Sequence, residues 1–296
     1  MSARIDLYAY WRYLLAVLLS CLDVASFNFP PAALATNSAE TIDCVRDRNC
    51  LLIPVNINDH KCLMLFDTGA DNITISQSTL AAIGIATPVN ASTQALAGVG
   101  SQNMSALKAT ASVKVGSHSQ ENFPLNIQQN ASMLPIIGSN FFQGCSVTVD
   151  IPHAKIVLDK KADEKLRGTY DSGRNIVGAA WGNQLLIPVI VSGQQTKMLV
   201  DSGADGITFN REQARSLHLV VPSDASPEVH MGIAGKVRGV GFKVSEVAVG
   251  PLIRKSIKVS VIESPGMPYP LLGADFFKDC IYTIDREHSQ LTIDRI

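Results

Sequence analysis

The chain has 296 residues, room for two domains of ordinary size, and its 46% apolar content is that of a packed globular protein, not a disordered one. A formal net charge of -1, with Lys and Arg scattered along the chain, gives no electrostatic footprint for a polyanion, so nucleic acid is not expected as a partner.

The N-terminus reads as an export signal covering residues 1–35. Arg4 and Arg12 flank the start, Tyr13–Leu22 ("YLLAVLLSCL") is a short apolar core, and Ala33-Leu34-Ala35 places small residues where a signal peptidase cuts. A core of about ten residues is short for a bilayer interior of roughly 30 Å. The expected location is therefore periplasmic or secreted. The alternatives are an uncleaved anchor or a lipid on Cys21, either of which implies membrane association through the N-terminus.

Residues 36–50 form a separate N-terminal segment in this reading. Cys44 and Cys50 bracket "VRDRN", a loop that a disulfide can close in an oxidising compartment. Cys62 lies in an apolar run and is expected to be a buried thiol; Cys145 and Cys280, at equivalent places later in the chain, are expected to be buried too, the alternative being a pairing with each other. No CxxC or Cys/His pair has metal spacing, so neither a metal nor a cofactor is indicated.

From residue 51 the chain repeats itself. "LLIPVNINDHKCLMLFDTGAD" (51–71) aligns without a gap on "LLIPVIVSGQQTKMLVDSGAD" (185–205), and "PIIGSNFFQGCSVTVD" (135–150) on "PLLGADFFKDCIYTID" (270–285). Two collinear matches identify a tandem duplication, with domains at 51–159 and 185–296 and a linker at 160–184. The local code within each copy is β. Residues 52–57 alternate, "NDH" turns the chain, "CLMLF" suits a buried strand and "NITIS" is again β-rich. "SQSTLAAIG" predicts a short helix capped by Ser76 or Ser78 and ended at Gly84, while "ATASVKVGS" and "VSEVAVGPL" predict hairpin strands. The fold class expected is all-β with short helices: two tandem barrels. A third Asp-Ser-Gly, at Asp171–Gly173, has no apolar run leading in and reads as an ordinary turn.

Each copy ends a buried strand in Asp and a hydroxyl residue followed by Gly: Asp67-Thr68-Gly69 and Asp201-Ser202-Gly203. The Gly allows a tight turn and close approach of another backbone, and the hydroxyl can bond a neighbouring main chain. One such carboxylate does little. Two held a hydrogen bond apart cannot both ionise, and a pair sharing a proton supplies an acid and a base at one centre.

These motifs resemble those of retropepsin-like aspartic proteases, in particular the bacterial type with two such domains fused. The resemblance covers both copies and includes the downstream apolar-apolar-Gly, Ile136-Ile137-Gly138 and Leu271-Leu272-Gly273. It implies two acid-protease barrels forming a pseudo-dimer within one monomeric chain, and hydrolysis of a protein or peptide substrate. It further implies that Asp67 and Asp201 are the catalytic aspartates and that Thr68, Ser202, Gly69 and Gly203 support the active-site loops. By the same resemblance Asp71 and Asp205 lie near the substrate main chain. The family's flaps would fall at residues 95–104 and 231–242, with Gly98, Gly100, Gly235 and Gly239 touching substrate. Viral relatives carry Arg after the downstream Gly, where this chain has Ser139 and Ala274. The interface must therefore be held differently. The competing expectation is an exported peptide-binding module of the same fold without turnover.

Overall fold

The computed structural model describes residues 39–88, 91–129, 133–160, 175–233, 235–264 and 267–295. The signal segment 1–35, the Asp171–Gly173 turn and most of the linker lie outside them. No described helix is long and apolar enough to cross a membrane.

The protein is nearly all β, and its two halves are built alike. In the first, one eight-stranded sheet runs in the order Val45–Asp47, Cys50–Ile57, His60–Asp67, Ile136–Gly138, Ile73–Ser76, His118–Gln128, Ser101–Val115, Thr93–Gly98. The second half repeats that order: Ala179–Trp181, Gln184–Val191, Gln194–Asp201, Leu271–Gly273, Ile207–Asn210, Leu252–Ile262, Gly235–Val249, Ser226–Gly232. In each sheet an extra pairing curls the layer onto itself, Asn56 with Lys114 and Ile190 with Ala248. The barrels expected from the sequence are these curled sheets.

The helices are short, and their caps explain where they start. Ser76 accepts the Thr79 N–H at 3.0 Å and opens Gln77–Ala82, with Gly84 at φ +81° just beyond the end. Asn210 and Gln213 form a reciprocal capping box that opens Arg211–Ser216.

A third, six-stranded sheet joins the halves in the order Ala39–Asp43, Lys155–Asp159, Ser146–Asp150, Cys280–Asp285, Gln290–Arg295, Asn175–Val177. Its central register is self-symmetric: Thr148 faces Thr283, while Val147 faces Ile284 and Val149 faces Tyr282. The two threonine hydroxyls bond each other at 2.8 Å, across a sequence separation of 135. A pseudo-twofold axis therefore passes through this pair. Ala39–Asp43 and Asn175–Val177 supply the two outer strands, so residues before 51 and within 160–184 take part in folded sheets.

The core runs through both halves and this shared sheet. Met64, Phe66, Ile137, Phe141 and Phe142 are buried in the first half, and Met198, Val200, Leu272, Phe276 and Phe277 in the second. Each such side chain contributes about 1.5–3 kcal/mol. The paired phenylalanines that follow the downstream Gly are core residues.

The described cysteines form no disulfide, which corrects the expectation for Cys44 and Cys50. "VRDRN" is itself a hairpin in which Asp47 pairs with Cys50 and Val45 with Leu52, so Cys44 lies well past Cys50 on the opposite strand. Burial pushes the Cys44 thiol up to about 12.

Candidate active site

Each aspartate of the repeated motif sits at the last position of its strand. Asp67 pairs in parallel register with Gly138, and Asp201 with Gly273. The downstream strand is thereby threaded between the Asp strand and Ile73–Ser76 or its counterpart. Beyond each Gly a turn of 3-10 helix begins, and its first N–H groups hold the active-site loop. Ser139 N donates to Ala70 O and Asn140 N to Asp71 O, and Ala274 N and Asp275 N do the same for Ala204 O and Asp205 O, all at 2.8 Å. A Cβ on Gly138 would lie 2.6 Å from the Asp71 carbonyl, so only glycine fits beneath the loop. Backbone donors thus anchor the loop that an Arg anchors in viral relatives.

The two loops are locked by an exchange of hydroxyls. Thr68 Oγ1 donates to Val200 O at 2.8 Å and accepts the Ser202 N–H at 3.0 Å. Ser202 Oγ donates to Phe66 O at 2.8 Å and accepts the Thr68 N–H at 3.0 Å. Both residues are buried, and four satisfied bonds in a dry site fix how far apart the halves can stand.

That lock brings the Asp67 and Asp201 carboxyls into hydrogen-bond contact. Gly69 N donates to Asp67 Oδ1 at 2.8 Å, and Gly203 N and Ala204 N donate to Asp201 Oδ1 at 2.9 and 3.0 Å. A Cβ on Gly69 would stand 2.5 Å from Asp201 Cγ, and one on Gly203 would overlap Asp67 in the same way. Each turn glycine is therefore the floor under the other half's carboxylate. Burial, then the Asp201 charge and the bond between the two groups, hold the Asp67 carboxyl well above the usual carboxylate range. Burial also raises Asp201, offset by the hydrogen bond from Asp67 and by the two backbone donors.

Two contacts under the loops were not read from the sequence. Gln184 Nε2 donates to Gly69 O, and the Cys50 thiol lies 3.8 Å from Gly203 O. They occupy equivalent positions in the repeat, at the spacing of 134 that separates Thr68 from Ser202, so the alignment itself held the signal.

Asp71 and Asp205 flank the dyad in unequal surroundings. Arg48 Nη1 meets Asp205 Oδ2 at 3.4 Å. The residue equivalent to Arg48 is Gly182, which stands beside Asp71, and among the described residues Asp71 has no ion-pair partner.

The hairpins over the cleft turn at Gly98–Ser101 and Gly232–Gly235, and their tips touch. A methyl on Gly98 would overlap the Ile233 side chain, and one on Gly232 would overlap Val99 O. Gly100 N donates across the halves to Ser264 Oγ at 3.0 Å. Gly98, Gly100 and Gly235 sit at these tips, the last two at φ +97° and +111°. Gly239 does not. It lies in the hairpin arm, paired with Glu228 on one side and Ile262 on the other, and a Cβ there would meet Val261 O at 2.8 Å. Its glycine serves close strand packing.

Two loops donating one carboxyl each beneath paired hairpins are the arrangement of a two-lobed acid protease. Residues 53–144 match the model of the gag-polyprotein aspartyl protease family, and residues 187–276 match that of the aspartyl protease family. The chain belongs to the aspartyl proteases, as two retropepsin-like domains in tandem. No curated protein matches it.

Proposed function

We propose that the chain is an aspartic endopeptidase whose single site takes Asp67 from one half and Asp201 from the other. The observation that carries this reading is the reciprocal hydroxyl lock, which a pair of ordinary turns has no need of and which holds the half-buried Asp67 carboxyl against the buried Asp201. In the resting state the pair shares one proton, and in the microstate that carries it on Asp67 the other carboxyl is free to act as base. Asp201, its charge supported by the N–H groups of Gly203 and Ala204, is the base.

A water held between the carboxyls loses a proton to Asp201 as its oxygen bonds to the scissile carbonyl carbon. Asp67 donates its proton to the carbonyl oxygen, giving a neutral tetrahedral diol. The diol then collapses: the C–N bond breaks, the amide nitrogen takes the proton from Asp201, and a diol hydroxyl returns a proton to Asp67. The dyad ends in its starting state. The touching hairpin tips are the lid that must open to admit a peptide and close to exclude water. Because both carboxyls come from one chain, the working unit in this reading is a monomer with an internal pseudo-twofold, and residues 1–35 act as an export signal that directs it out of the cytoplasm.

Asp67→Asn and Asp201→Asn, made separately and assayed on a mixed peptide library, should each lose at least about 10²–10⁴-fold in kcat/KM. Near-normal cleavage by either variant removes the shared dyad. Peptide binding by wild type without any cleavage from acid to neutral pH selects the binding module instead.

A further inference from the structure

In both halves the strand that follows and pairs with the outgoing flap arm, His118–Gln128 and Leu252–Ile262, has one face on the core and the other turned away from it. In the second half Val259 and Val261 enter the core, whereas Ser260 and Ile262 face the other way. Ser260 Oγ donates to Glu228 at 2.6 Å. Ile262 packs in a separate apolar cluster with Leu199, Val237 and Leu271, which also touches Ala204 of the active-site loop and Val99 of the opposite flap tip. That cluster links the loop of Asp201 to the opposite flap tip, and in the endopeptidase reading it lines the substrate side of the second half.

The first half repeats the pattern with different chemistry. Leu125 and Ile127 enter the core, and Asn126 and Gln128 take the opposite face. Asn126 Oδ1 accepts from Gln94 Nε2. Gln128, the counterpart of Ile262, is 2% exposed, and among the described residues neither its Oε1 nor its Nε2 has a hydrogen-bond partner. Buried side-chain amides with both ends unpaired are rare in folded proteins, because water has been given up and nothing has replaced it.

We propose that Gln128 determines specificity in the first-half pocket by taking a neutral hydrogen-bonding side chain of the substrate, a carboxamide best of all. This rests on the endopeptidase reading above. The side chain of Asn or Gln presents an N–H to Oε1 and a carbonyl to Nε2 and so satisfies both atoms at once, while a hydroxyl satisfies them less completely. A carboxylate or ammonium would bring the cost of a buried charge. Across the axis, the Ile262 cluster offers no polar partner and selects an apolar side chain. The cleft then reads a substrate as polar on one side of the scissile bond and apolar on the other, a directionality that an exactly symmetric site cannot have.

The test uses the full chain and a panel of statine-centred peptides that differ only at the two positions flanking the statine, carrying Asn, Gln, Leu or Asp. Dissociation constants are measured by titration calorimetry. Wild type should favour the carboxamide over Leu at one of the two positions by on the order of ten- to a hundredfold. Gln128→Leu should erase that preference and leave the apolar preference at the other position. Ile262→Gln should create a carboxamide preference at the second position. Wild type preferring Leu at both positions, or Gln128→Leu discriminating as wild type does, overturns the assignment. Binding of no panel member by wild type overturns the dyad reading itself, a result distinct from an altered side-chain preference.

Discussion

Replacing Thr68 by Val removes one hydroxyl while keeping the size and branching of the side chain. In the folded protein that hydroxyl accepts the Ser202 N–H and donates to Val200 O, both in a buried site. Each group left without a partner costs about 1–3 kcal/mol, so two cost about 2–6 kcal/mol before relaxation. A change of 1 kcal/mol moves the melting temperature of a domain of 150–250 residues by about 2–4 °C. Thr68→Val should therefore melt at least about 4 °C below wild type by circular dichroism. Thr68→Ser, which retains the hydroxyl, should recover most of the loss. Activity should fall with stability in the Val variant, because the same bonds set the approach of Asp67 to Asp201. Equal melting temperatures for the Val and Ser variants would refute the claim that the hydroxyl exchange joins the halves.

Three further outcomes follow from the site and its surroundings. The raised Asp67 carboxyl keeps its proton in the folded state above the unfolded value of about 3.9, so wild-type stability falls as pH rises through that window. Asp67→Asn should melt higher than wild type near neutral pH and match it below about pH 4, a comparison made by melts across pH. Gly69→Ala would drive a methyl against the Asp201 carboxyl, 2.5 Å from its Cγ, and should abolish cleavage in a peptide assay, while Gly193→Ala, in an open turn at φ +84°, loses some stability to backbone strain but keeps cleavage. Asp279 is held down to about 2, chiefly by its hydrogen bonds to Arg254. Its contribution is complete above about pH 4 and lost as pH falls toward 2, so Asp279→Asn should flatten that acid limb in denaturation curves.

The repeat, the β character and the candidate dyad are all legible in linear order. Duplication writes itself twice in the letters, and the apolar run before Asp67 and Asp201 marks a buried strand ending in a turn. Glycine at 69 and 203 announces a close approach without saying what approaches, and each turns out to lie beneath the other half's carboxyl. Gly239 lies in the arm of the hairpin and Gly235 at its tip, a difference that the letters alone do not carry. Cys44 and Cys50 misled because spacing alone ignores the hairpin register that separates them.

Gln128 stands out least of all in the sequence, one polar residue at the end of "PLNIQ". What its amide lacks is visible only once the strand is placed against its neighbours. Composition and local pattern determined what each half would become, since burial and strand period act over a few residues. Which groups meet was decided by tertiary structure: the shared sheet, the hydroxyl lock and the flap contacts join residues about 134 positions apart, and such distances close only when both halves have folded onto a common axis.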